Sequence, residues 1–254
     1  LIARLENGAR KSLTYNELFD QVSECAAGLR QLGVVSGDRV AGFMPNIPET
    51  IVAMLATASI GAIWSSCSPD FGINGVMDRF GQIEPKVLFG CDGYFYNGKT
   101  IDTLPRLKAI CSNIESIEQL VVVPVIQDAV AVDGFGNAVL FHDFLSAHRG
   151  AELFCEQLPF NHPLYIMYSS GTTGAPKCIV HSAGGTLIQH LKEHQLHVDL
   201  KPSDRLFYFT TCGWMMWNWL VSGLASGATL VLYDGSPFYP DAKALIDLVE
   251  AEQV

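Results

Sequence analysis

Residues 168–177 read YSSGTTGAPK, and the chain is best read outward from them. Ile166 and Met167 lead in with an apolar, strand-like character. Gly171 and Gly174 can adopt backbone angles closed to other residues, so the main chain can come close to a ligand. Successive backbone N–H groups in such a loop form a concavity for anions. Ser169, Ser170, Thr172 and Thr173 add hydroxyls, and Lys177 adds a positive charge. The pattern suits a loop that wraps phosphate. It is not the ordinary P-loop, because Ala175 and Pro176 separate Gly174 from the lysine. The plainer reading is a polar surface loop, since Ser, Thr, Gly and Pro also make loops without chemistry.

On either side, helical and extended patterns alternate. Downstream, 179–180 reads as extended, 185–197 as helix, 205–210 as strand, 214–224 as helix, 229–233 as strand and 241–252 as amphipathic helix. Upstream, Thr14 and Glu17 make a capping-box pattern. Leu18, Val22, Cys25, Ala26 and Leu29 follow at helical spacing, and Gly33 supplies a stop. Strands are expected at 40–44, 62–65, 87–89 and 120–123, with helices at 48–60 and 75–83. Strands separated by helices predict an α/β fold of mostly parallel sheets covered on both faces. Such sheets bind ligands at the carboxyl ends of their strands, where YSSGTTGAPK falls. Residues 124–160 break the rhythm and predict a connection between a sub-lobe of about 1–123 and a second of about 161–254.

Bulk properties exclude several classes. The chain has 254 residues, 49% hydrophobic and 17% charged, so it can bury a sizeable core and is not disordered. A formal net charge of −10 argues against nucleic acid or an anionic membrane as the main partner. The seven cysteines are scattered and lack C-x-x-C spacing, as expected of a reduced compartment, so a cytoplasmic location is expected. His190, His194 and His197 share one helix face at i, i+4 and i+7, but no cysteine or carboxylate set joins them, so no metal site is expected. The apolar run 51–64 is too short to span a bilayer and reads as a buried helix leading into a buried strand.

The 168–177 run resembles the signature loop of the acyl-adenylate-forming enzymes, whose pattern is roughly S/T-S-G-S/T-T-G-x-P-K-G. The match holds through Lys177 and departs at Cys178, which stands where the pattern has glycine. The resemblance implies that Ser169, Ser170, Gly171, Thr172, Thr173, Gly174 and Lys177 hold the β- and γ-phosphates of ATP. The flanks CIVHSAGGTLIQHLKEH, residues 178–194, and TTCGWMMWNW, residues 210–219, resemble the branch that activates acetoacetate. Residues 61–86 and YNGK, 96–99, fit the same branch. Acetate or propionate activation, or a nucleotide-binding module without catalysis, are the alternatives. The resemblance further implies ATP with Mg2+ and CoA as co-substrates, and no tightly bound cofactor. It implies that the chain is part of a large amino-terminal domain. The downstream Tyr-Gly-x-Thr-Glu motif, the ribose-binding aspartate and the catalytic lysine would lie beyond Val254. With the carboxyl-terminal domain absent, the chain alone is expected to be inactive.

Gly213, Trp214, Met215, Met216 and Trp217 open an aromatic and methionine cluster. Composition favours core. Position after a strand end, together with the family resemblance, suggests the wall of a short acyl pocket, which would limit substrate length by bulk. Both readings stand at this level. His181 and Ser182 are adjacent, but the chain has no G-x-S-x-G elbow, so a structural histidine is the expectation.

Overall fold

The computed structural model describes residues 1–169 and 174–254. The first half runs β1 (Ile2–Leu5), β2 (Arg10–Ser12), α1 (Tyr15–Gln31), β3 (Arg39–Phe43), α2 (Pro48–Ser59), β4 (Ile63–Cys67), α3 (Ile73–Ile83), β5 (Val87–Cys91), β6 (Gly93–Tyr96), β7 (Lys99–Asp102), α4 (Leu104–Asn113) and β8 (Gln119–Val123). The second half runs β9 (Ala138–Leu140), α5 (Phe141–Ser146), β10 (Pro163–Tyr168), β11 (Cys178–Ser182), α6 (Ala183–Lys192), β12 (Arg205–Phe207), α7 (Met215–Ser222), β13 (Thr229–Asp234) and α8 (Ala244–Ala251). A π-helical turn, Glu193–His197, extends α6.

The expected α/β architecture is present. Seven strands form one sheet in the order β11-β10-β4-β3-β5-β8-β9, parallel except where β11 turns back antiparallel on β10. Four strands form a second sheet in the order β12-β13-β1-β2. Strands from both sides of 124–160 share both sheets: β13 pairs with β1, and β10 pairs with β4. The connection at 124–160 therefore does not separate two sheets.

Side-chain alternation explains the layers. Val87, Phe89, Val121 and Val123 face a core built with α1, α2 and α5. Leu88, Leu120 and Val122 face a second core with α3 and α4. In β13, Leu230 and Leu232 join the first core, while Val231 and Tyr233 pack under Leu248 of α8. That is the period of two expected of a strand buried on both faces.

Local signals account for several boundaries. Thr14 and Glu17 form the full capping box of α1, and the expected apolar residues of that helix are all buried. Pro48 sits in the first turn of α2, where its missing N–H costs nothing. The β6–β7 hairpin turns at Asn97 and Gly98, both at positive φ (52° and 75°), the pairing that a tight hairpin favours. Glu6 then ties this turn to the second sheet. Its carboxylate accepts the N–H groups of Asn97 (2.8 Å), Gly98 (2.7 Å) and Ser236 (2.7 Å).

Among the described residues no helix is long and apolar enough to cross a membrane. All seven cysteines are free, and Cys25, Cys67, Cys91 and Cys212 are buried.

Gly42 in β3 gives a direct test of this packing. A Cβ there would lie 2.6 Å from Cη2 of Trp64, a rigid ring in the core. Gly42→Ala should destabilise the protein by about 1–3 kcal/mol through overpacking. The check is a lowered denaturant midpoint at unchanged slope.

Candidate functional site: a hairpin mouth and an adjoining cleft

The YSSGTTGAPK run leaves the carboxyl end of β10 and returns as β11, so it is the loop of an antiparallel hairpin. Its base is closed twice. Ser169 N–H donates to the Lys177 carbonyl at 3.0 Å, and Lys177 N–H donates to Ser169 Oγ at 2.9 Å. Gly174 has φ +152°, a conformation closed to most side chains. Lys177 is exposed, and its ammonium has no side-chain partner among the described residues. Ser170, Gly171, Thr172 and Thr173 lie outside the described residues.

Helix α3 braces this hairpin. Gln82 Nε2 donates to the Pro176 carbonyl at 2.8 Å. The Arg79 guanidinium lies 4.9 Å from the Phe71 ring centroid and 5.6 Å from that of Tyr168. From the strand side, Ser65 Oγ bonds the Ile166 carbonyl (2.9 Å) and the Tyr168 hydroxyl (3.0 Å). Burial pushes the Tyr168 phenol up, so it stays a neutral donor.

The expected acyl-pocket residues do not form one wall. Trp217 is fully buried, and its Nε1 donates to Asn46 Oδ1 at 2.9 Å, so it belongs to the core. Trp214 is 64% exposed. Trp214 and Met216 border a hollow with Tyr208, Phe209, Thr210 and Thr211. Gly213 packs against Cys67, Ser68 and Phe71. Met215 faces a separate cleft of about 480 Å3 between β11, α6 and α7, beside His181, Gly185, Thr186, His190 and Trp219.

The three spaced histidines divide in the same way. His190 Nδ1 lies 2.9 Å from Ser222 Oγ. His194 Nε2 lies 3.0 Å from the same oxygen and 2.8 Å from the Trp219 carbonyl. His197 is exposed. Desolvation lowers both His190 and His194, with the His194 charge adding to the shift at His190. Both are therefore neutral hydrogen-bonding groups at pH 7. Among the described residues no set of three or more His, Cys, Asp or Glu is placed to hold a metal ion. His181 stacks on the Tyr165 ring, with centroids 5.2 Å apart.

Sequence reading missed Asn46 and Asp234. Asn46 N–H donates to Asp234 Oδ2 at 2.8 Å, joining the end of β3 to the end of β13. Their sequence signal is slight, a Pro-Asn-Ile-Pro turn and one of three Asp-Gly pairs.

The family model described as AMP-binding enzyme matches residues 2–254. The chain belongs to that family. It is similar to acetoacetyl-coenzyme A synthetase of Rhizobium meliloti strain 1021, at 57% identity over the whole chain and 39% of the relative. It is similar to malonamoyl-CoA synthetase vrtB of Penicillium aethiopicum, at 49% identity over 92% of this chain and 33% of the relative. Acetoacetyl-CoA synthetase of Streptomyces lividans has the same fold over 99% of this chain and 38% of that one, with a TM-score of 0.94 and 46% identity. The chain thus spans well under half the length of these relatives.

Two outcomes follow from the placements above. Trp217→Ala should cost about 3–5 kcal/mol, while Trp214→Ala should fall within about 0.5 kcal/mol of the parent. Equilibrium unfolding of both variants separates core from surface. The second concerns Asp234, whose carboxyl is pushed up to about 6 by burial, with Asp70 and Glu6 adding repulsion against the Asn46 bond. The unfolded group titrates near ~4, so the folded state holds the extra proton between the two values. Stability contributed by this group is therefore lost as pH rises from about 4 to 6. Asp234→Asn should gain about 1–3 kcal/mol more, relative to the parent, at pH 7 than at pH 4. Paired denaturant titrations at the two pH values measure the difference.

Proposed function

We propose that the protein carrying this chain is an acetoacetate–CoA ligase. In this reading the acetoacetate carboxylate attacks the α-phosphate of ATP, giving an acyl-adenylate and pyrophosphate. The CoA thiol then attacks the acyl carbonyl and displaces AMP. ATP enters as its magnesium complex, so the metal is part of the substrate. The observation that carries the reading is the YSSGTTGAPK loop at the carboxyl end of a parallel-sheet strand, its base locked by the paired Ser169–Lys177 bonds. Such a base sets Ser169 and Lys177 side by side at the mouth, and a lysine charge placed there favours a phosphoryl-transfer step. Ser169, Ser170, Gly171, Thr172, Thr173, Gly174 and Lys177 are the proposed phosphate ligands.

Membership of the AMP-binding family supports nucleotide use. The names of the relatives support the acid. Acetoacetyl and malonamoyl groups are both short and both carry a second carbonyl on their third carbon. Met215 in the cleft beside β11 is the part of the expected acyl wall that suits this role. The free cysteines suit a cytoplasmic location.

The test is acetoacetate-dependent ATP–pyrophosphate exchange in the full protein. Lys177→Ala should lower the exchange rate by roughly 10²-fold or more, the range seen when one preorganised charge-stabilising group is removed. Its melting temperature should hardly change, because Lys177 is exposed. An unchanged rate would remove Lys177 from the phosphate site.

A further inference from the structure

Four indole N–H groups divide into three situations. Trp64 Nε1 donates to Ser66 Oγ at 3.2 Å, and Trp217 Nε1 donates to Asn46 Oδ1 at 2.9 Å. Trp214 is exposed to solvent. Trp219 is only 9% exposed, and its Nε1 is buried with no partner among the described residues. A buried donor left unpaired costs about 1–3 kcal/mol, and native structures seldom retain one without a use.

The surroundings of this donor are specific. Trp219 and Met215 form the α7 side of the cleft of about 480 Å3, facing Gly185, Thr186 and His190 of α6. Ser222 fixes the histidines. Its hydroxyl donates to the Trp219 carbonyl at 2.6 Å, so its oxygen accepts from His190 Nδ1–H at 2.9 Å. His190 Nε2 then carries the lone pair of the neutral ring. His194 is oriented by the same carbonyl and packs its ring 4.3 Å from that of Trp219, holding the indole in place. Tyr165 stacks on His181, which borders the cleft. The cleft is lined by polar side chains on the β11 and α6 side, including Gln189, His190 and Glu193, and by Met215 and Trp219 on the α7 side, with the unpaired indole N–H beneath it.

We propose that Trp219 is the specificity-determining residue for the acyl group, its indole N–H donating to the 3-oxo oxygen of a short β-keto acid seated in this cleft. The inference rests on the acid-activation reading above and deepens it. An aliphatic acid of equal length would fill the same space and leave the donor unpaired. A site built to hydrogen-bond one substrate group rejects the analogue lacking it far more strongly than a site that senses one methylene. Butyrate is therefore the informative competitor, since it matches acetoacetate in carbon number and lacks only the ketone oxygen.

The experiment compares kcat/KM for acetoacetate and butyrate in the full protein and its Trp219→Phe variant. Phenylalanine keeps an aromatic wall and removes the donor. The acetoacetate-to-butyrate ratio of kcat/KM should fall by roughly 10–100-fold in the variant. A fallen ratio supports the proposal, and an unchanged ratio in a folded variant overturns it. Should Trp219→Phe fail to fold, the parent protein labelled with 5-fluorotryptophan decides. Acetoacetate, but not butyrate, should shift one tryptophan fluorine resonance, assigned to Trp219 by its absence from the spectrum of a Trp219→Tyr variant. Equal shifts with both acids would overturn the proposal. Failure of the parent to activate either acid would instead defeat the acid-activation reading itself, so the two failures are distinct.

Discussion

Asn46 holds the two sheets to the helix that borders the cleft. It is almost fully buried, so each of its polar groups needs a partner inside the protein. Its backbone N–H takes Asp234 at the end of β13, and its carboxamide nitrogen reaches the Tyr233 carbonyl at 3.4 Å. Its Oδ1 takes the Trp217 indole at 2.9 Å. A single turn after β3 thereby fixes the second sheet and the roll of α7. With Trp217 directed into the core, Met215 and Trp219 are left for the face opposite α6. A buried network of this kind is costly when incomplete and specifying when complete.

The hairpin depends on the same sheet in a different way. β10 is parallel to β4, but β11 returns antiparallel along the edge. A parallel return would require a long crossover, whereas a tight hairpin closes with a short loop. That closure brings Ser169 and Lys177 across from one another, so the charged end of the signature run is set by strand pairing. The chain's net charge of −10 makes this local arrangement matter. Long-range steering does not favour a polyanion here, so under the proposed function the attraction falls to local groups such as Lys177.

Much of the framework was legible because local and tertiary signals agree. Thr14 and Glu17, the apolar stripe of α1 and the Val-rich strands all follow from period and capping. β2 was not legible, since Arg10, Lys11 and Ser12 are an exposed edge with no apolar alternation. The Asn97–Gly98 hairpin signal was present but short. The site was harder because helical spacing presumes an unbroken α-helix. Trp214 is the N-cap of α7, with φ −110° and ψ 150°, so it leaves the face that its spacing to Trp217 implies. The π turn at Glu193–His197 inserts an extra residue in the hydrogen-bonded ring, which carries His197 off the face shared by His190 and His194. Unpaired groups such as Trp219 Nε1 depend on what the fold fails to supply, and no sequence pattern encodes that.

The edge strand β11 connects the two halves of the proposed chemistry. Its first residue, Cys178, adjoins the hairpin base, and His181 near its other end borders the cleft. Three steps along a strand cover roughly 10 Å. That matches the reach of a triphosphate laid from a terminal phosphate to an acid at the α-phosphate. Phosphate binding at one end of β11 and acid binding at the other would bring carboxylate and α-phosphate together between them. The alignment is then held by strand geometry, which is stiffer than loop geometry. Positioning of this kind supplies much of the rate in a step whose main demand is in-line approach of two anions.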